Sequence, residues 1–276
     1  MRSLHRLVTL AAIAAASSAG AQSGPLLTPS AFIKGTGHLG LDVFGQTIGK
    51  EPNYLTFAER ALVQPRTRID GPVLRLTYVP SDRAEFAAEF VARTFAVKDP
   101  RFGSVSDFGD ATLRAKLGLA KGEAYRSPAV ALQFEVTLPN TSFGDGLGPN
   151  TIRMESDLVV GYQSDKLTLN GRAGLAIQDE PLRPHEQRDF LSLTGSIAYK
   201  VSGSFEAFAD AGGFFGDGVP GAIAKREARA GVQNHRTLFG YPTTLFLAGR
   251  RGLVDFSGKW GVVMGFSTTM RQGMLP

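Results

Sequence analysis

Charged side chains recur at every second position along several stretches of this 276-residue chain, and apolar residues separate them. The stretch AVALQFEVTL shows the pattern, because Gln133 and Glu135 alternate with Leu132, Phe134 and Val136. Acids and bases on one face pair with each other when such stretches lie side by side. The acidic and basic residues that share this alternation are Glu85, Glu89, Arg93, Arg114, Lys116, Glu135, Arg153, Glu155, Asp157, Arg172, Glu206, Asp210, Glu227 and Arg229.

The histidines lack the neighbours that acyl-transfer catalysis needs. A serine nucleophile requires a histidine base within hydrogen-bond reach and a third polar group that orients the base. His38, His185 and His235 occur in the sequences HLG, HEQ and HRT, and the chain contains no His-x-Ser. We therefore expect no catalytic residues and predict that the protein is not an enzyme.

Metal-ligating residue types gather around His185, which is followed by Glu186 and, three residues later, Asp189. Clusters of this kind in loops are more often solvated than metal-bound, so we expect no metal. Asp145, inside the sequence GDGLG, looks like part of a calcium loop, but too few carboxylates follow it. The same sequence does not satisfy a nucleotide-binding fingerprint, and no cofactor is expected. The absence of cysteine excludes disulfides and thiolate metal sites.

Composition removes several classes of protein. A mean hydropathy of −0.04 with 20% charged residues excludes a bundle of membrane-spanning helices, each of which needs about 20 apolar residues. A hydrophobic content of 43% excludes a disordered chain. The 30 basic and 25 acidic residues are scattered, and the net charge of +5 is modest, so nucleic acid is not an expected partner.

The N-terminus has the three parts of a secretory signal peptide. Arg2 and Arg6 form a positive region, residues 7–16 (LVTLAAIAAA) are apolar, and Ala19-Gly20-Ala21 is a small-x-small cleavage site. The apolar run is too short to span a membrane. We therefore expect a signal peptide over residues 1–21 and a single domain over residues 22–276.

Strict alternation of apolar and polar residues predicts about twelve β-strands. A soluble sandwich uses shorter strands, of about 5–6 residues, whereas a membrane barrel needs about 9–11 residues per crossing. Long connections also alternate with short ones, as in outer-membrane barrels, and an even strand count returns both termini to the periplasm. The predicted strands cover residues 36–44, 73–79, 85–97, 111–120, 129–138, 152–163, 167–178, 190–201, 204–214, 225–235, 243–249 and 256–267.

The first long connection breaks the strand period. In residues 51–63 (EPNYLTFAERALV), Asn53 is a candidate N-cap, and Leu55, Ala58 and Leu62 share one helical face. We predict a short helix here, which covers the rim of the barrel rather than plugging its mouth.

Residues 109–180 resemble a family of bacterial outer-membrane proteins, the MetA-pathway-of-phenol-degradation family. The stretch is roughly a quarter of the chain, and Asn140 stands where the family usually has Thr-Gly. The residues that carry the resemblance are Gly109 to Lys116 (GDATLRAK), Ser127 to Leu132 (SPAVAL), Val136 to Asn140 (VTLPN), the glycine-rich Gly144 to Gly148, and Asn170 to Gly174 (NGRAG).

This resemblance implies an all-β, antiparallel up-and-down barrel in the bacterial outer membrane that passes small, often aromatic or hydrophobic, molecules. We expect a passive channel or uptake protein, with membrane lipid, a small permeant and the barrel insertion machinery as partners. A structural or adhesive barrel that acts through its loops remains an alternative, and a barrel hydrolase is a weaker one. The alternating charged residues then line the lumen, either as a constriction that screens permeants or as a structural ladder.

Overall fold

A computed structural model describes residues 27–52, 66–99, 103–123, 126–141, 146–179, 186–216, 225–254 and 257–271. The signal peptide predicted over residues 1–21 lies outside these ranges. So does the predicted helix, apart from Glu51 and Pro52. Fourteen strands occur in the described part: β1 (His38–Glu51), β2 (Arg66–Ser81), β3 (Ala84–Val91), β4 (Thr94–Asp99), β5 (Gly103–Asp107), β6 (Ala111–Ala120), β7 (Ala129–Leu138), β8 (Arg153–Gln163), β9 (Leu167–Asp179), β10 (Gln187–Lys200), β11 (Phe205–Phe215), β12 (Arg226–Leu238), β13 (Tyr241–Gly252) and β14 (Trp260–Arg271).

Twelve of these strands close into a barrel in which every neighbouring pair is antiparallel. The barrel closes because β1 pairs with β2 on one side and with β14 on the other. From β6 onward each strand pairs with the next one in the chain, and β3 pairs with both β2 and β6. The remaining two strands, β4 and β5, extend the wall beyond β2. The prediction of an all-β up-and-down barrel is confirmed.

The connections divide the barrel into two ends. At the end we call the short-turn end, the links are as brief as residues 82–83, 164–166 and 239–240. The last of these turns places Phe239 and Gly240 at positive φ, which suits the right-handed twist of the flanking strands. At the opposite, long-loop end, the connections include residues 139–152, which join β7 to β8.

The two faces of the wall have opposite chemistry. Apolar side chains cover the outer face, where Leu175 is 64% exposed and Met264 57% exposed. Polar and small side chains such as Gln133 and Ala131 point inward and are buried. This arrangement inverts that of a soluble β-domain and is the one that membrane barrels use. No helix of the described residues is long and apolar enough to cross a membrane.

Several observed strands differ from the predicted ones: β2 begins seven residues before its predicted start, β5 was not predicted, and β14 is shifted by four residues. The strand predicted over residues 85–97 is divided into β3 and β4, because the inward-facing positions change from odd to even numbers between Val91 and Thr94. The first strand continues seven residues past its predicted end at Phe44, so that Glu51 closes a strand. Irregularities in the β1–β2 register at residues 44–46 and 49–51 obscure the alternation there.

Candidate functional site

A cavity of about 480 Å³ lies inside the barrel and is lined by inward-facing side chains of the wall. Charged residues of both signs dominate this lining. Ten of the fourteen side chains that the sequence assigns to the lumen contribute to it, namely Glu85, Glu89, Arg114, Lys116, Glu135, Arg153, Glu155, Arg172, Glu227 and Arg229.

The lining begins with a chain of ion pairs that steps from strand to strand. Arg75 on β2 lies between Asp42 on β1, at 3.7 Å, and Glu89 on β3, at 2.6 Å. Arg114 on β6 in turn contacts Glu89 at 3.1 Å and Glu135 on β7 at 2.6 Å. Each charge is therefore flanked by charges of the opposite sign.

The chain of ion pairs continues across β8 and β9. Arg153 lies 2.7 Å from Glu155 and 3.7 Å from Glu135. Arg172 closes the series, at 3.5 Å from Glu155 and 3.6 Å from Asp157. We call the nine residues from Asp42 to Asp157 the ion-pair ladder: Asp42, Arg75, Glu89, Arg114, Glu135, Arg153, Glu155, Arg172 and Asp157. Since positive and negative groups alternate, their fields largely cancel across the cavity.

The other charged residues that the sequence assigned to the lumen form smaller groups. Glu227 contacts Arg229 at 2.5 Å and also contacts Arg250 on the next strand. Lys116 lies 2.6 Å from Glu85. Each of these charges thus has a partner of opposite sign on the same wall.

Four predicted lumen residues do not line the cavity: Asp157, which ends the ladder, and Asp210, Glu206 and Arg93. Asp210 is buried and accepts a hydrogen bond from the Leu27 backbone nitrogen at 2.7 Å. Glu206 accepts a hydrogen bond from Gln233 near the short-turn end. Arg93, in the irregular link between β3 and β4, stacks 5.2 Å from the centroid of an exposed phenylalanine ring.

Arg93 is therefore not among the residues that line the cavity. Its aromatic partner, Phe108, is 57% exposed. The sequence pattern assumed unbroken alternation from Glu85, but the shift of one residue between β3 and β4 removes Arg93 from that face.

Two arginines bind residues of the connection between β7 and β8 at the long-loop end. Arg66 is fully buried and donates to the Gly146 carbonyl oxygen at 2.6 Å, while it also lies 3.1 Å from Asp99. Arg68 donates to the carbonyl oxygen of Leu147 at 3.0 Å, and the Leu147 side chain is completely buried. Gly146 and Leu147, in the connection between β7 and β8, are thus buried and held by two arginines.

Residues 27–34, which we call the N-terminal segment, occupy the lumen in the short-turn half. Leu27 binds Asp210, as described above, and the Ala31 backbone nitrogen lies 3.4 Å from Oδ1 of Asn170, to which it donates. The Ala31 side chain packs against Ala129, Ala131 and Val159 on the inner face of β7 and β8. Six residues of this segment also line the cavity: Leu27, Thr28, Pro29, Ser30, Phe32 and Lys34.

At the short-turn end, an ion pair joins two turns outside the lumen. Lys121 donates to the Asp82 carboxylate, and both side chains are exposed. This hydrogen bond, together with the ammonium charge, lowers the pKa of the Asp82 carboxyl.

Sequence reasoning missed two parts of the site. Asp42 and Arg75 belong to the ladder, and alternation puts both on the polar faces of their strands, but the predicted lumen set does not include them. The N-terminal segment has no strand or helix period, so its sequence gives no direct signal. The part of the wall that it packs against does show a signal in the sequence, because Ala129, Ala131 and Gly161 are unusually small inward-facing residues.

The histidines show no catalytic grouping in the described residues. The His38 ring binds the Gly35 carbonyl oxygen, and Nδ1 of His235 lies 3.0 Å from Oγ1 of Thr244. His185 lies outside the described residues. In the part of the chain that the structure describes, no group of three or more His, Cys, Asp or Glu residues is placed to hold a metal.

Comparison with known proteins identifies the family. The sequence profile of the MetA-pathway-of-phenol-degradation family matches residues 53–263. The chain belongs to this family. A search of curated proteins finds no significant match.

Solved structures show the same fold in outer-membrane proteins. The COG4313 outer membrane channel from Pseudomonas putida F1 superposes with a TM-score of 0.62 at 16% identity, covering 90% of this family member and 99% of the channel. The KdgM porin gives a TM-score of 0.52 at 9% identity over 84% and 99% of the two chains. The translocator domain of the autotransporter NalP from Neisseria meningitidis gives 0.51 at 11% identity over 98% and 97%. These likenesses establish the barrel architecture.

Proposed function

We propose that this protein is a passive channel of the bacterial outer membrane that takes up small molecules. The observation that carries the proposal is a cavity with a charged lining inside a closed barrel whose outer face is apolar. A polar interior with an apolar exterior is the arrangement that lets solutes pass while lipid surrounds the wall. The channel-type barrels with the same fold support this function.

Exposed aromatic side chains at both ends support a membrane setting. Tyr78 and Tyr199 lie near the short-turn end and are 41% and 48% exposed. Trp260 begins β14 at the long-loop end and is 53% exposed. Aromatic residues form such girdles where a barrel meets the two membrane–water interfaces. The apolar band between them fits the hydrocarbon core.

The connection lengths suggest an orientation. Outer-membrane barrels place short turns in the periplasm and long loops outside. In this orientation the N-terminal segment faces the periplasm. The signal peptide that we propose over residues 1–21 would deliver the chain there for the insertion machinery.

The lining favours permeants without a net charge. In the ladder each carboxylate lies beside an arginine, so the wall offers neither a cationic nor an anionic surface. Two aromatic rings complement it: the Arg75 guanidinium lies 5.6 Å from the Phe44 ring centroid, and that of Arg153 lies 5.0 Å from the Phe214 centroid. A small uncharged molecule with an aromatic or other apolar part would contact both kinds of surface.

Reconstitution in planar bilayers tests this function. We expect small conductance steps with a reversal potential close to zero in a salt gradient, because the ladder is nearly neutral. Liposomes containing the protein should swell faster in small uncharged solutes than liposomes without it. If neither conductance nor swelling is detected, the channel is refuted and a structural barrel becomes the better explanation.

A further inference from the structure

We infer that the N-terminal segment is a displaceable plug, whose release opens the short-turn half of the channel. This inference rests on the proposed channel function and adds a gate to it. At one end of the segment Leu27 donates to Asp210 in the middle of β11, and at the other Lys34 donates to Thr269 near the end of β14 at 3.2 Å. Between these two contacts Ala31 packs against β7 and β8, which lie across the barrel from β14, so the segment crosses the lumen.

The wall contains a seat for this segment. Three small side chains, Ala129, Ala131 and Val159, receive Ala31. A Cβ atom at Gly161 would lie 2.8 Å from Oδ1 of Asn170, which accepts from Ala31, 3.0 Å from the Phe32 ring and 3.1 Å from the Ala31 Cβ. The glycine therefore leaves the room that the segment uses, since any larger residue would press against it.

The segment is held far more weakly than the strands around it. Residues 27–34 form no β-pairing among the described residues, whereas neighbouring β8 and β9 are paired over eleven residues. Its long-range polar contacts with the wall are side-chain contacts, including those of Leu27, Ala31 and Lys34. Release would break these contacts and leave all the hydrogen bonds between the strands of the barrel intact.

The chain between the segment and the wall can accommodate such movement. Gly35 and Gly37 lie on either side of Thr36, and Gly37 adopts a φ of 77°, which favours glycine. The Gly37 nitrogen donates to the Val79 carbonyl oxygen at 2.8 Å and fixes the start of β1. A pivot at this glycine pair would swing residues 27–34 out while β1 stays in place.

Removal of the plug would connect the cavity to the short-turn end. The segment itself forms part of the cavity lining, since Thr28, Phe32 and Lys34 face it. The chamber is therefore bounded on that side by a removable element rather than by the wall. This boundary makes the position of the segment a determinant of conductance.

A reversible cross-link tests the gate. The chain has no cysteine, so Ala31→Cys with Ala131→Cys introduces the only two thiols. When the pair is oxidised, we expect opening events to be lost, and reduction should raise the mean conductance at least about twofold. The control pair Ala248→Cys with Val263→Cys joins two paired inward positions of β13 and β14 and should show no redox dependence. If Ala31→Cys and Ala131→Cys fail to cross-link, the seat itself is refuted.

A second variant should displace the plug without any cross-link. Gly161→Leu fills the seat, and we expect it to raise conductance, whereas a residue that merely narrowed the lumen would lower it. Gly171→Leu is the matched control on the same hairpin, because a Cβ there meets no atom within 4 Å. Heat-modifiable gel mobility confirms that each variant is folded.

These measurements distinguish a wrong channel function from a wrong gate. If the native protein and all variants lack conductance, the channel function is refuted. If all variants conduct and neither oxidation nor Gly161→Leu changes the conductance, the channel stands and the gate is refuted.

Discussion

Arg114 and Glu135 face each other on paired positions of β6 and β7, with the Arg114 Nε 2.6 Å from the carboxylate. Glu89 contacts the same guanidinium from the other side at 3.1 Å. One arginine thus contacts two acids inside the lumen, and the three side chains together carry one net negative charge. Its replacement should change both the selectivity and the stability of the barrel.

Arg114→Glu should make the channel cation-selective. The substitution places three carboxylates side by side where the native wall has one net negative charge, so a salt gradient should give a clearly non-zero reversal potential. Arg126→Glu makes the same charge change on an exposed turn and should leave the reversal potential near its native value. Unchanged selectivity in Arg114→Glu would show that the ladder is structural and does not screen permeants.

Removing one partner of the Lys116–Glu85 pair should lower the free energy of unfolding much more than removing both charges. Lys116→Met leaves the Glu85 carboxylate without its partner, and we expect a loss of about 3–5 kcal/mol in the free energy of unfolding. The double variant Lys116→Met with Glu85→Gln should recover a large part of that loss. Urea titration of the protein in detergent or lipid measures both.

The exposed Lys121–Asp82 pair provides a comparison for that experiment. Solvent screens it, so Lys121→Met should barely change the unfolding midpoint. Equal losses in Lys116→Met and Lys121→Met would contradict the claim that lumen burial makes the first pair important.

Arg66 should control the loop at the long-loop end. Arg66→Met removes the donor to the Gly146 carbonyl oxygen, and we expect proteinase K to cleave the connection at residues 139–152 several-fold faster than in the native protein. Arg236→Met at the short-turn end is the control and should leave this cleavage rate unchanged. The idea of an arginine-held loop is refuted if both variants are cleaved at the native rate.

A charge on the outer face should destabilise the barrel in a bilayer. Leu175 lies on β9 and is 64% exposed, so Leu175→Arg places a guanidinium against lipid and should cost about 2–4 kcal/mol of stability in a bilayer. Leu253→Arg adds the same charge in the connection after β13 and should cost much less. Similar stability of the two variants in vesicles would argue against a membrane-embedded wall.

The strands and the lumen were predictable from the sequence because one rule governs both. A wall with lipid outside and charge inside must alternate at every residue, and β7 follows this rule without exception from Ala129 to Leu138. The rule fails where the wall is irregular, as at Arg93, since one extra residue reverses the faces. Alternation also cannot predict the N-terminal segment inside the barrel, because that segment has no strand or helix period.

The order of charges around the ladder discriminates between strand registers. A slip of two residues between β1 and β2 would keep every apolar side chain on the outer face, so alternation alone does not exclude it. The slip would place Arg75 opposite Gly40 or Phe44 instead of Asp42, and the ion pair would be lost. A two-residue slip between β2 and β3 would likewise separate Arg75 from Glu89, and one between β6 and β7 would separate Arg114 from Glu135. The lumen charges therefore specify one alignment among several that the hydrophobic pattern accepts, and the correctly closed barrel is the arrangement in which all of them find partners.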